Sequence, residues 1–236
     1  MRHLLLSTLA AAIGTLSLAS VAHADVATVS FTKLTGLAGV QGTTIFRADL
    51  STLSFDTIQS ITLIDSNSQS GGSPGAFSGF DLDGIKLSTT LANTAAQASA
   101  AAALPGFDFS PANTLFTPGT QRNPVAAKLF GTDASGLNVD PAMATLNQFD
   151  SNWFTSGEVT LGDGGKISFN LTAPISTAGL YLYIGEVGGS LGENVSGTLI
   201  VSSQPVPEPE ALALLVGGLG LLPFLSRKRR QDRREA

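Results

Sequence analysis

Asp81 and Asp83, in the stretch "GFDLDGIKLS", are the residues whose types and spacing point most directly to chemistry. Two carboxylates on a tight turn that ends in Gly84 suit Ca2+, a hard cation that takes several oxygen ligands. If the segment is extended instead, a spacing of two sends both side chains to one face, where their repulsion would favour a shared cation. An EF-hand is excluded, because position twelve counted from Asp81 is Ala92 and not Glu. The competing reading is a solvated turn at the end of a strand, since short acidic motifs are degenerate. Calcium at Asp81 and Asp83 is the one cofactor the sequence nominates.

Carboxylates are also the only groups left for acid–base catalysis. The chain of 236 residues has no Cys, and its two histidines, His3 and His23, lie in an N-terminal leader. A chain starting after that leader lacks the partners for Ser-His-Asp or Cys-His catalysis and the usual zinc ligands. Glu158, Glu186 and Glu193 could supply a glycosidase pair, but nothing in the sequence fixes two of them at a working separation. Trp153, Tyr181 and Tyr183 could offer aromatic faces to a sugar ring, although Trp153 beside Phe154 suits a core equally well. The sequons at Asn170-Leu171-Thr172 and Asn194-Val195-Ser196 match by chance too readily to carry weight.

The leader itself has a small basic start at Arg2 and His3, an uncharged Leu- and Ala-rich run from Leu4 to Leu18, and the small-x-small pattern Ala22-His23-Ala24. This is the pattern of a secretory signal peptide spanning residues 1–24, delivered by the Sec machinery and cut by signal peptidase before Asp25. The run is short for a membrane span of roughly 20 residues. From Asp25 to Glu193 the body carries six bases against fourteen acids, a net charge of −8. Such a body repels phosphate backbones, so no nucleic-acid partner is expected. Without disulfides, the exported domain must stand on its core.

The C-terminus reverses the charge. Pro207-Glu208-Pro209 is followed by fifteen uncharged residues, Ala211 to Leu225, and then by Arg227-Lys228-Arg229-Arg230. At about 1.5 Å per residue the apolar run reaches only some 22 Å, less than a hydrocarbon core of about 30 Å. Snorkelling basic side chains extend it, and their position obeys the positive-inside rule. Three elements in this order resemble the PEP-CTERM sorting signal, over about the last 30 residues. The resemblance implies a Gram-negative source and transient insertion of the tail in the inner membrane. It further implies recognition and cutting by exosortase near Pro207, Glu208 and Pro209. The prolines suit that step, since they hold the chain extended and free of helical hydrogen bonds.

The elements between these ends read mainly as β. Residues 27–34, 43–50, 60–64, 85–88, 158–161, 166–171, 180–186 and 196–202 are rich in β-branched or aromatic residues and bounded by turn formers. In "KISFNL" the residues Ile167, Phe169 and Leu171 alternate with Ser168 and Asn170, the pattern of a half-buried strand. Gly162-Asp163-Gly164-Gly165 before it tolerates positive φ. An Ala-rich helix is expected within Leu91 to Leu104, stopped by Pro105-Gly106, and a short one after Asp140-Pro141. Many short strands with 26 glycines imply a β-sandwich, jelly-roll-like, with one or two short helices. The stretch "NPVAAKLFGTD" with "VTLGDGGKISFNL", "LYIGEVGG" and "GTLIVS" is similar to secreted bacterial sandwich domains of discoidin or carbohydrate-binding type. That likeness transfers no binding residue.

The expected organisation is a signal peptide (1–24), an exported domain (25–204), a sorting signal (205–230) and a cytoplasmic tail (231–236). The expected function is non-enzymatic, and the resemblance to exosortase-sorted proteins implies a place at the cell surface or in an extracellular polysaccharide matrix. Rival expectations are a carbohydrate-binding module, with or without calcium dependence, and a glycoside hydrolase working through paired carboxylates.

Overall fold

A computed structural model describes residues 24–39, 42–69, 72–152, 155–188 and 197–207. The leader through His23, Trp153 with Phe154, Glu193 with Asn194, and everything from Glu208 onward lie outside the described residues. The signal-peptidase residue Ala22 and the sorting-signal residues Glu208, Pro209, Arg227, Lys228, Arg229 and Arg230 are therefore not placed.

The described chain is mainly β, in two antiparallel five-stranded sheets. Its strands are β1 (Val26–Val29), β2 (Thr32–Lys33), β3 (Thr44–Asp49), β4 (Thr57–Asp65), β5 (Asp81–Ser88), β6 (Thr114–Thr117), β7 (Val159–Thr160), β8 (Lys166–Ser176), β9 (Tyr181–Glu186) and β10 (Gly197–Ser202). Sheet A has the order β1-β10-β4-β8-β6, and sheet B the order β2-β3-β9-β5-β7. Both sheets feed one core. Ile58, Ile61, Leu63, Ile167, Phe169 and Leu199 from sheet A share a cluster with Phe46, Leu82, Ile85, Leu87, Leu182 and Ile184 from sheet B. The alternation expected in "KISFNL" holds, with Ile167, Phe169 and Leu171 buried in that cluster. Strand β4 keeps both Ile58 and Ile61 in the core, three residues apart, where its register against β8 shifts between Ile58 and Ser60. The extra residues lie on β8, between Asn170 and Ile175, and the ladder is locally disrupted there.

Two expectations change in detail. The run 27–34 is two strands: β1 pairs with β10 in sheet A, and β2 pairs with β3 in sheet B, so the chain switches sheets near Ser30. The turn Gly162–Gly165 likewise joins β7 in sheet B to β8 in sheet A. Gly162 and Gly164 adopt φ of 77° and 75° there, as that composition suggests. After Asp140 there is one turn and no helix. Its carbonyl accepts from the amides of Met143 and Ala144, and its side chain from Ala142, but the carbonyl of Leu146 is already taken by the amide of Ile85 in β5. Pairing with the sheet outcompetes a second helical turn.

The helix α1 (Ala95–Ala100) forms inside the Ala-rich stretch, opened by a capping box between Thr94 and Gln97. It covers the outer face of sheet B, where Ala95 and Ala98 pack with Leu34, Ile45, Tyr183 and Phe149. Lys86 reaches out from β5 to its last turn. Its Nζ donates to the carbonyls of Ala98, Ser99 and Ala101 at 3.2, 2.8 and 3.1 Å and lies 5.3 Å from the centroid of the Phe149 ring. A cation there satisfies carbonyls that the helix leaves open and suits its negative end. Among the described residues no helix is long and apolar enough to cross a membrane.

Candidate functional site

The nominated carboxylates lie within β5 rather than on a turn, and both are buried. Their surroundings separate them. Asp81 accepts a hydrogen bond from the Thr160 hydroxyl on β7, its register partner. Asp83 sits where the β5–β9 register shifts, between Leu82 and Gly84. One of its oxygens accepts from the backbone amides of Asp150 and Ser151, at 3.1 and 2.9 Å, and the other from the Thr43 hydroxyl. Ser151 in turn donates through its hydroxyl to Glu158. The result is a buried chain Thr43–Asp83–Ser151–Glu158, linking the start of β3, the bulge of β5 and both sides of the loop before β7.

Burial dominates the electrostatics of this chain. It pushes the Asp83 carboxyl up from 3.8 to about 7, against the opposing pull of its three hydrogen bonds. Desolvation also raises Glu158, with the Ser151 hydroxyl partly offsetting it. A carboxyl held like Asp83 takes up a proton near neutrality, a property shared with general acids. Asp83 is fully enclosed and Glu158 is 2% exposed, so neither meets a substrate-sized opening. The arrangement works as an internal bracket: Asp83 gathers the amides of Asp150 and Ser151 and fastens them to sheet B. Among the described residues no group of three or more His, Cys, Asp or Glu is placed to hold a metal ion.

Two glycines make this docking possible. Gly84 on β5 and Gly185 on β9 are register partners. A Cβ on Gly84 would lie 2.2 Å from the carbonyl oxygen of Gln148, and one on Gly185 would lie 2.6 Å from the Phe149 ring. Together they leave a bare patch in the sheet on which Gln148 and Phe149 rest. Glycine inside a strand often marks such a close approach, and that signal is present in "DLDGIKL" and "LYIGE". Gly84→Ala is expected to push the loop off the sheet and to destabilise by about 2–3 kcal/mol, as overpacking does, seen as a lower urea midpoint.

The remaining candidates divide. Glu186 is buried at the end of β9, opposite both Leu82 and Thr44. Tyr183 is fully buried beneath α1, its hydroxyl donating to the carbonyl of Thr90 at 2.6 Å and accepting from the amide of Ala92 at 2.8 Å. Its ring cannot serve as a sugar platform in this conformation. Tyr181 is half-buried against the same cluster. A groove of about 500 Å3 passes Thr28, Thr32, Arg47 and Asp49 as well as Val29 and Leu53, a mixed surface with no aromatic ring in its lining.

The two ends of the body also come together. Val26 pairs with Ser202 across β1 and β10. Beyond them the Asp25 amide donates to Ser203 Oγ and the Ser203 amide to the Asp25 carbonyl, both at 2.9 Å. Ala24 and Pro207, the outermost described residues of the two junctions, line one groove on sheet A. No family model matches the chain, and neither does any curated protein or solved structure.

Proposed function

We propose that this chain is the precursor of an exported, non-enzymatic protein of the cell surface or the extracellular polysaccharide matrix. In this reading the Sec machinery and signal peptidase deliver a body that starts at Asp25, the C-terminal apolar segment holds it briefly in the inner membrane, and exosortase cuts near Pro207. The observation that carries the reading is the ordered tail: Pro207-Glu208-Pro209, fifteen uncharged residues and a basic cluster. The fold is compatible with its loss. Sheet A is complete at Ser202, and Pro207 lies five residues beyond, so a cut after Pro207 removes no described strand.

The body is read as a jelly roll. The orders β1-β10-β4-β8 and β3-β9-β5-β7 interleave early and late strands as two Greek keys do, with β6 and β2 added at edges. The non-enzymatic reading is supported by the placement of Asp81, Asp83, Glu158 and Glu186, all buried in the framework. Polysaccharide as the partner rests on the sorting resemblance.

Fractionation of the source cells tests this. The wild-type protein is expected in the surface or extracellular fraction, and a chain in which Pro207, Glu208 and Pro209 are replaced by Ala is expected to stay with the inner membrane. Equal recovery of both outside the cell would overturn the sorting role of the motif.

A further inference from the structure

Beyond Ser202 the chain turns across the outer face of sheet A, and three side chains hold it there. Gln59 Nε2 donates to the Ser203 carbonyl at 3.0 Å, and Ser60 Oγ to the Gln204 carbonyl at 2.7 Å, both from β4. Asn170, the register partner of Ser60 on β8, then takes Val206 from both sides. Its Oδ1 accepts from the Val206 amide at 2.7 Å, and its Nδ2 donates to the Val206 carbonyl at 3.1 Å. Residues 203–206 thus pass from the end of β10 over β4 to β8, two strand spacings of about 4.8 Å each.

The sequence around Val206 makes this contact singular. Val206 stands between Pro205 and Pro207, neither of which has a backbone N–H. Its amide is the only main-chain donor among these three residues. A residue that precedes proline is also held extended, so Val206 offers N–H and C=O as a strand does. A carboxamide carries one acceptor and a donor in the geometry that pairs with a peptide group. Both partners come from the fold: Asn170 faces outward because Phe169 and Leu171 face the core.

We propose that Asn170 is a positioning residue for the C-terminal cut: by gripping Val206 it fixes where the chain leaves the body and presents an extended Pro207 only after β4 and β8 have paired. The proposal rests on the processing reading above. In the cut an amide C–N bond breaks. Its acyl carbon passes to water or to an acceptor amine, and the tail departs with the proton on its new amino group. Asn170 takes no part in that exchange. It limits which bond the membrane enzyme meets and makes a finished sheet A a condition for presenting it.

The test follows the full chain in its own cells by pulse–chase and intact mass, comparing wild type with Asn170→Ala, Asn170→Asp and Ser60→Ala. Loss of positioning by about an ångström is expected to slow conversion of Asn170→Ala by up to about a hundred-fold and to spread its C-terminal ends over neighbouring residues. Asn170→Asp keeps the acceptor and the side-chain volume but loses the donor, so it should fall between. Ser60→Ala removes a neighbouring tie without touching Val206 and should convert at nearly the wild-type rate to one end. Asn170→Ala converting at the wild-type rate to a single end would overturn the proposal. So would equal slowing by Ser60→Ala, which points to general loosening. If Asn170→Ala does not fold, Asn170→Asp decides on the same criteria. A wild-type chain that keeps its tail would instead remove the processing reading itself.

Discussion

Asp83→Asn is expected to be about as stable as wild type at pH 4 and more stable at pH 8. The Asp83 carboxyl rises from 3.8 to about 7 on folding because it is buried. Between those values the unfolded chain has released the proton and the folded chain still holds it. Stability therefore falls as pH rises from about 4 to about 7, and the loss is complete above that. A shift of roughly three units corresponds to about 4 kcal/mol at most. Asn mimics the protonated acid, since its oxygen can accept from the amides of Asp150 and Ser151 and its NH2 can face the Thr43 hydroxyl. The gap between the two proteins in chemical denaturation should open across that window. Glu158, raised in the same direction, should leave a smaller slope in the variant. Parallel pH profiles would show that Asp83 is not buried as a protonated acid.

Phe169→Ala should cost the most of any single truncation on sheet A, about 3–5 kcal/mol for a buried aromatic. The ring is 1% exposed and meets Phe107 and Phe109 edge-on, with centroids at 5.6 and 5.8 Å and planes at 85° and 86°. Those two rings stack on each other at 5.4 Å. Removing Phe169 leaves a cavity under β8 and takes away the surface on which the segment after α1 rests. Phe109→Ala should cost less, because Phe109 is only partly buried at the margin of the core. Urea unfolding that gives less than about 1.5 kcal/mol for Phe169→Ala would mean that the site collapses without loss, contrary to this packing.

Much of the fold was legible because the start of β8 follows period two. In "KISFNL" the apolar residues alternate cleanly, and a core on one side is the physical consequence. Strand β6, "TLFT", was not singled out, since four residues between Asn113 and Pro118 carry too little pattern. The division of residues 27–34 between two sheets leaves no local mark, as both halves are extended and rich in Val, Phe and Thr. Asp81 and Asp83 were legible as a pair but not as buried. Their partners, Thr160 for Asp81 and the amides of Asp150 and Ser151 for Asp83, lie nearly seventy residues or more away in sequence. The glycines that admit this loop were visible, yet what approaches them was not. Asn170 was visible on the polar face of the alternating strand and within a sequon, but its hold on Val206 depends on the register of β4 with β8.

The intact mass of the protein recovered from its own cells, with and without active exosortase, tests the processing reading most directly. The expected result is a chain that begins at Asp25 and ends near Pro207, with the tail retained where the enzyme is inactive. A mass that includes Arg227 onward in both strains would contradict it, and the tail would then be a membrane anchor that stays in place.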